Sequence, residues 1–290
     1  MGASEADPHA GRDDEIDDTR MSFVDHLREL RARLRNSVLA LIGGFAVAYT
    51  FKEEIFFFLL QPLLDSWDRL RAANPTLGAA QLNFGSLIEP FWTYFGLALW
   101  AGIFLSSPFI FHQLWKFVAP GLYRRERRFG FWFAGTSALS FAGGALFCYY
   151  LVLPVVYDFL LGYASANVAE ISRPFGIEYS LGDTVTLQPT LFMRDYLDFA
   201  RKLLLGFGLV FELPLFLFSL ALMGVVTHRG LWRFNRWWIV ISFTVAAILT
   251  PPDVMSQILM AVPLVVLYNL SIVLAWLVTR RRERREAADG

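Results

Sequence analysis

Residues 254–279, VMSQILMAVPLVVLYNLSIVLAWLVT, contain no Lys, Arg, Asp or Glu. A block with no polar face must be surrounded by something other than water, and lipid is the medium that suits it. Comparable apolar blocks lie upstream, at about 36–51, 88–111, 129–161, 196–226 and 237–250. The whole chain has 56% hydrophobic and 18% charged residues, against an apolar share of about 45–50% in soluble globules. Its mean hydropathy of +0.44 agrees. The expectation is an all-α polytopic membrane protein of six kinked transmembrane helices forming a concave, cupped wall. One membrane domain would span 22–280, between a disordered acidic tail at 1–21 and a charged tail at 281–290.

The segment 1–20 is polar and acid-rich, with no apolar core, so it does not read as a secretory signal peptide, and the first span is expected to act as its own insertion signal. Basic residues set the orientation. Six Lys or Arg precede the first span, five lie in 116–128, three in 229–236 and five in 280–285, while the opposite side has only Lys52, Arg69, Arg71, Arg173 and Arg194. The positive-inside rule then puts both termini in the cytoplasm, which six spans satisfy. The amphipathic stretch 23–34 predicts a helix lying on the membrane surface. Residues 52–82, with short apolar runs broken by Pro62 and charges, predict short interfacial helices, Trp67 among them. The fifth block reaches only about 21 Å at ~1.5 Å per residue, short of a ~30 Å hydrocarbon core, and predicts local thinning of the bilayer.

Prolines 108, 154, 214, 251, 252 and 263 sit inside or at the ends of spans and predict bent helices. Catalytic chemistry finds little support. No G-x-S-x-G motif occurs, the single Cys148 can form no intrachain disulfide and reads as core filler, and His9, His26, His112 and His228 lack metal-ligand spacing. The glycines at 206–208 lie in an apolar span without a phosphate-loop pattern. No enzyme, metal or cofactor is expected. The formal net charge of +0 gives no reason to expect nucleic acid.

Polar residues inside or beside lipid are the informative ones, because an unpaired charge at the bilayer centre costs at least ~2.5 kcal/mol. Glu212, in FELP, is placed near mid-membrane: either a carboxylate in a wet groove or a hydrogen-bonding strut to another span. Arg201 and Lys202 are expected to snorkel to the outer interface. Asp253 reads as a turn cap, and Gln257 and Asn269 as groups able to bond another helix within lipid. On the basic side, Glu29 and Glu126 are either engaged by neighbours, Arg33 being i+4 from Glu29, or open to a bidentate guanidinium from another molecule.

Four separated motifs, HLRELR at 26–31, SSPFIFHQLWKFVAPGLYRRERR at 106–128, FELP at 211–214 and LTPPDVMSQ at 249–257, resemble those of the TatC family, receptor subunits of the twin-arginine protein translocase. The likeness runs in order over residues 22–280. It implies an inner-membrane receptor for the signal peptides of folded proteins, working with TatA- and TatB-type single-span partners in an oligomeric complex and driven by the proton-motive force. On that likeness Glu29 and Glu126 receive the signal peptide's arginine pair, with Phe117, His26, Leu30 and Arg31 beside them in the motifs. Glu212 matches the family's acid in the groove, Pro62 and Asp253 match outer-side positions, and Thr250 and Gln257 match a patch where a partner's span docks. A secondary transporter or proton channel using Glu212 as relay is the alternative. It is disfavoured by the lone mid-membrane acid and the lack of an internal repeat.

Overall fold

The computed structural model describes residues 23–73, 78–118, 127–164, 190–250 and 254–289. Glu126, Asp253 and the expected acidic tail lie outside these residues, as does the side chain of His26. In chain order the elements are α1 (Phe23–Thr50), α2 (Lys52–Ala73), β1 (Leu82–Asn83), α3 (Glu89–Val118), α4 (Arg127–Phe147), a π-helical turn (Cys148–Val152), α5 (Leu153–Ala164), β2 (Leu191–Phe192), α6 (Met193–Phe211), α7 (Leu213–Leu222), α8 (His228–Leu249) and α9 (Val254–Asp289).

Four stretches among the described residues are long and apolar enough to cross a membrane: Glu89–Phe117, Phe131–Gly162, Met193–Leu222 and Ser256–Arg280. Helices α1 and α2 qualify only as a pair, bent by 78°. Helix α8 packs along α9 and contains the fifth, short block. The chain is a multi-pass, all-α membrane protein. Its outward surface is apolar, as lipid requires: Leu139, Ile248 and Tyr150 are all more than 60% exposed.

The amphipathic stretch 23–34 is not a separate surface helix. It continues α1 without a break, since neither Gly nor Pro interrupts residues 23–42. Nor is 52–73 a set of short helices, because α2 passes straight through Pro62. Proline removes the N–H that the Phe58 carbonyl would accept, and the Tyr149 hydroxyl donates to that carbonyl instead, at 2.7 Å. Pro108 is absorbed in the same way within α3, where the Ser107 hydroxyl donates to the freed Phe104 carbonyl at 2.8 Å. Pro154 follows the π-helical turn that Cys148 opens, with Cys148 fully buried. Of the described prolines within spans, Pro214 alone coincides with a helix break, at Glu212.

The fifth helix is longer than its apolar block. It starts at His228, capped by Thr227, whose side chain accepts from the Gly230 N–H. At ~1.5 Å per residue its 22 residues reach about 33 Å, so helix length gives no reason for thinning; only its apolar portion is short.

Two close crossings fix the bundle. A Cβ on Gly102 of α3 would stand 2.8 Å from the Phe45 backbone N of α1, and one on Gly208 of α6 would stand 2.8 Å from the Phe141 ring of α4. Only glycine lets these backbones approach so closely. Beyond the spans, β1 and β2 pair in parallel, Leu82 opposite Leu191 and Asn83 opposite Phe192, which ties the segment after α2 to the start of α6. The core sits beneath α2, where Leu97, Leu153, Leu197, Leu203 and Phe207 are fully buried.

Candidate functional site

The last two turns of α3 connect two of the candidate groups. Gln113 faces α1 there, and Trp115 faces α4. On the α1 side, Arg33 holds Glu29 at 2.7 Å, one helical turn back, and donates to Gln113 Oε1 at 3.3 Å. Glu29 is therefore not a free carboxylate. Its Arg33 pair is about four-fifths shielded and lashes the start of α1 to the end of α3. Phe117, half-buried, lies one turn beyond Gln113 and so on the same side of α3. Leu30 and Arg31 are exposed on α1 next to Glu29. Hence α1 and α3 bring Glu29 and Phe117 to one corner, with Leu30 and Arg31 on its outer side.

On the α4 side, the Trp115 indole donates to the Ser137 hydroxyl at 2.7 Å. Ser137 is fully buried, and Glu212 reaches it from the break between α6 and α7. Because Ser137 Oγ accepts from Trp115, its own proton is available to the Glu212 carboxylate. The backbone of Phe141 lies alongside as well. The other carboxylate oxygen, Oε1, is buried with no hydrogen-bond partner. The break exists because Pro214 cannot continue the α6 ladder, and Ser140 caps it by donating to the Phe211 carbonyl at 2.7 Å. Glu212 thus links one span to another through Ser137 while one of its oxygens has no partner.

The Arg201 side chain is 16% exposed. It points back along α6, as a helical side chain must, and there meets Asp198, the Leu197 carbonyl and the space over Gly96 of α3. Lys202 is exposed.

At the far end of α8, the Thr250 hydroxyl donates to the Ala246 carbonyl at 2.9 Å, and the Gln257 amide of α9 donates to the Phe243 carbonyl at 3.0 Å. Both side chains serve the α8–α9 hairpin. The same helices are joined further along by Trp238 to the Leu264 carbonyl, Asn235 to Asn269, and Tyr268 to the Leu231 carbonyl. Asn269 therefore bonds a neighbouring helix, accepting from Asn235 of α8. Pro62 is buried in α2. Among the described residues no cluster of His, Cys, Asp and Glu could hold a metal ion.

Gln113, Trp115 and Ser137 went unnoticed in the sequence. For the first two the signal was present, HQLW at 112–115, a polar-aromatic pair at the end of an apolar span; Ser137 in TSALS carries no such mark.

A family profile described as Sec-independent protein translocase protein (TatC) matches residues 25–263. The Sec-independent protein translocase protein TatC of Desulforapulum autotrophicum is 38% identical over 277 residues, covering 94% of this chain and 92% of its own length. That of Aquifex aeolicus is 36% identical over 271 residues, covering 92% of this chain and 100% of its own. A crystal structure titled as the twin arginine translocase receptor TatC superposes with a TM-score of 0.70 at 36% identity, covering 88% of this chain and 99% of that one.

Proposed function

Since the chain belongs to the TatC family of Sec-independent protein translocase proteins, we propose that it is the signal-peptide receptor and core subunit of a twin-arginine translocase. It sits in a cell inner membrane with both termini cytoplasmic and binds the paired arginines of signal peptides on folded cargo. The support for the assignment is the corner of α1 and α3 where Arg33, itself bonded to Gln113, holds Glu29, with Phe117 one turn beyond Gln113 on α3. A carboxylate so placed accepts a planar guanidinium in two parallel bonds, a geometry that lysine cannot match. Phe117 offers a ring face to the same cation. Glu126 supplies the second carboxylate, for the second arginine, and His26, Leu30 and Arg31 flank the peptide.

Single-span TatA- and TatB-type partners dock where Thr250 and Gln257 close the α8–α9 hairpin, and the proton-motive force drives transport. Glu212 serves within the membrane as the polar group that a docked helix meets, and Pro62 and Asp253 shape the outer side.

The test is peptide binding to the full-length protein in detergent, followed by fluorescence anisotropy. The double variant Glu29→Ala, Glu126→Ala should lose at least tenfold in affinity for a twin-arginine peptide, about 1.4 kcal/mol, and change little toward its twin-lysine counterpart. Undiminished twin-arginine affinity in the double variant refutes the assignment.

A further inference from the structure

Outside the receptor corner, a pocket of 570 Å³ opens between α2 and the π-helical turn. Its walls are aromatic. Phe58 stacks on Tyr149 with ring centroids 4.3 Å apart, Tyr150 stands edge-on to Tyr149 at 4.8 Å, and Phe57 faces the opening. Among the described residues the one charged group in the lining is Asp65, and no described cation pairs with it. Arg69, at the i+4 position that would pair with Asp65 on a helix, is turned away to Ser66 at 2.8 Å and to both carboxylate oxygens of Asp158 at 2.9 and 3.1 Å. Among the described residues Asp65 accepts one hydrogen bond, from Gln61 Nε2 at 3.1 Å.

A pocket with aromatic faces, one carboxylate and no cation selects a small organic cation: the ring quadrupoles attract it and the carboxylate accepts its N–H groups. A primary ammonium, with three donors, suits Asp65 and the Gln61 side-chain oxygen together. Tyr150 and Pro154 of the lining are followed in the chain by Leu151 and Val155, and Tyr150, Leu151 and Val155 are all exposed on the apolar surface of the span. A molecule held by its head in the pocket would therefore lay its tails along a lipid-facing wall. We propose that this pocket binds the ammonium headgroup of a phosphatidylethanolamine-type phospholipid, seated by Asp65 between Phe57, Phe58 and Tyr150. The proposal does not depend on the signal-peptide reading, since it uses neither the α1–α3 corner nor Glu212.

The full-length protein, purified in neutral detergent, is titrated with phosphatidylethanolamine, with phosphatidylglycerol of the same acyl chains, and with O-phosphoethanolamine, and bound molecules are counted by native mass spectrometry. Phosphatidylethanolamine should be retained about fivefold over phosphatidylglycerol, the factor supplied by one exposed cation–π contact of ordinary size. The preference should vanish in Asp65→Asn, shrink in Phe57→Leu, and withstand millimolar O-phosphoethanolamine. Asp65 and Phe57 are both exposed on α2, so neither substitution opens a cavity in the core. Equal retention of the two lipids overturns the proposal, as does a preference that survives both substitutions. Full displacement by the chainless headgroup overturns the lipid source, because the pocket would then be one for a soluble amine.

Discussion

The Tyr149 hydroxyl donates to the Phe58 carbonyl at 2.7 Å, and Phe58 is the residue whose helical partner Pro62 removes. A tyrosine on one span therefore repairs the ladder of a helix far away in sequence. Tyr149→Phe should destabilise the fold by about 1–2 kcal/mol, the cost of a buried carbonyl left unpaired. Pro62→Ala restores the N–H, so in that background the same Tyr149→Phe change should cost under about 0.5 kcal/mol. Denaturant unfolding of the four proteins in micelles measures the coupling. Additive costs would mean that the hydroxyl does not substitute for the missing N–H.

Asp198 and Arg201 pair one turn apart on α6, with the Arg201 side chain only 16% exposed and lodged over Gly96 of α3. Removing the acid alone strands a guanidinium in apolar surroundings. Asp198→Asn should therefore cost about 3 kcal/mol, and the double change Asp198→Leu, Arg201→Met distinctly less, because only the exposed Arg194 then loses a partner. Thermal unfolding of the two variants decides it. A double variant less stable than the single one would show that the pair is net stabilising.

The membrane class was legible because a span announces itself by what it lacks, and residues 254–279 lack every charge. The Glu29–Arg33 pair was legible too, because i+4 spacing is local. The hidden features are those whose cause lies elsewhere in the chain. Pro62 looks like a helix breaker until Tyr149, 91 residues from Phe58, is brought beside it. Arg33 finds Gln113 across 80 residues, and that contact is part of what holds 23–34 in line with the span rather than flat on the membrane. At Arg201 the direction of the side chain followed from helix geometry, but its destination was set by Asp198 and by the missing side chain at Gly96.

Arg33 occupies the Glu29 carboxylate that the proposed function assigns to a signal peptide, so the two guanidiniums compete. The pair keeps about a fifth of each side chain exposed, and an i,i+4 bond still open to solvent is worth up to ~1 kcal/mol. Glu29 itself is positioned by the continuous backbone of α1, so loss of Arg33 frees the carboxylate more than it displaces it. Arg33→Met should tighten twin-arginine peptide binding by about threefold, with the twin-lysine peptide gaining less. Anisotropy titrations of both peptides are the check. Weaker twin-arginine binding would show that Arg33 orients Glu29 instead of competing for it.

Glu212 reaches Ser137, which in turn is held by Trp115, yet its Oε1 is buried without a partner. A buried carboxylate oxygen left unpaired at a helix break costs stability. Glu212→Gln keeps the shape and the contact with Ser137 while removing the charge, so it should leave the fold as stable or raise stability by about 1 kcal/mol. Ser137→Ala should lower it by about 1–2 kcal/mol, because the Trp115 indole loses its acceptor and Glu212 its donor. If the unpaired oxygen meets a partner helix during transport, Glu212→Gln should leave twin-arginine peptide affinity unchanged while cutting cargo import into inverted membrane vesicles by about tenfold, the worth of one charge-assisted bond. Unimpaired import by a stably folded Glu212→Gln protein would reduce Glu212 to the strut between α4 and α6 that its contact with Ser137 already makes it.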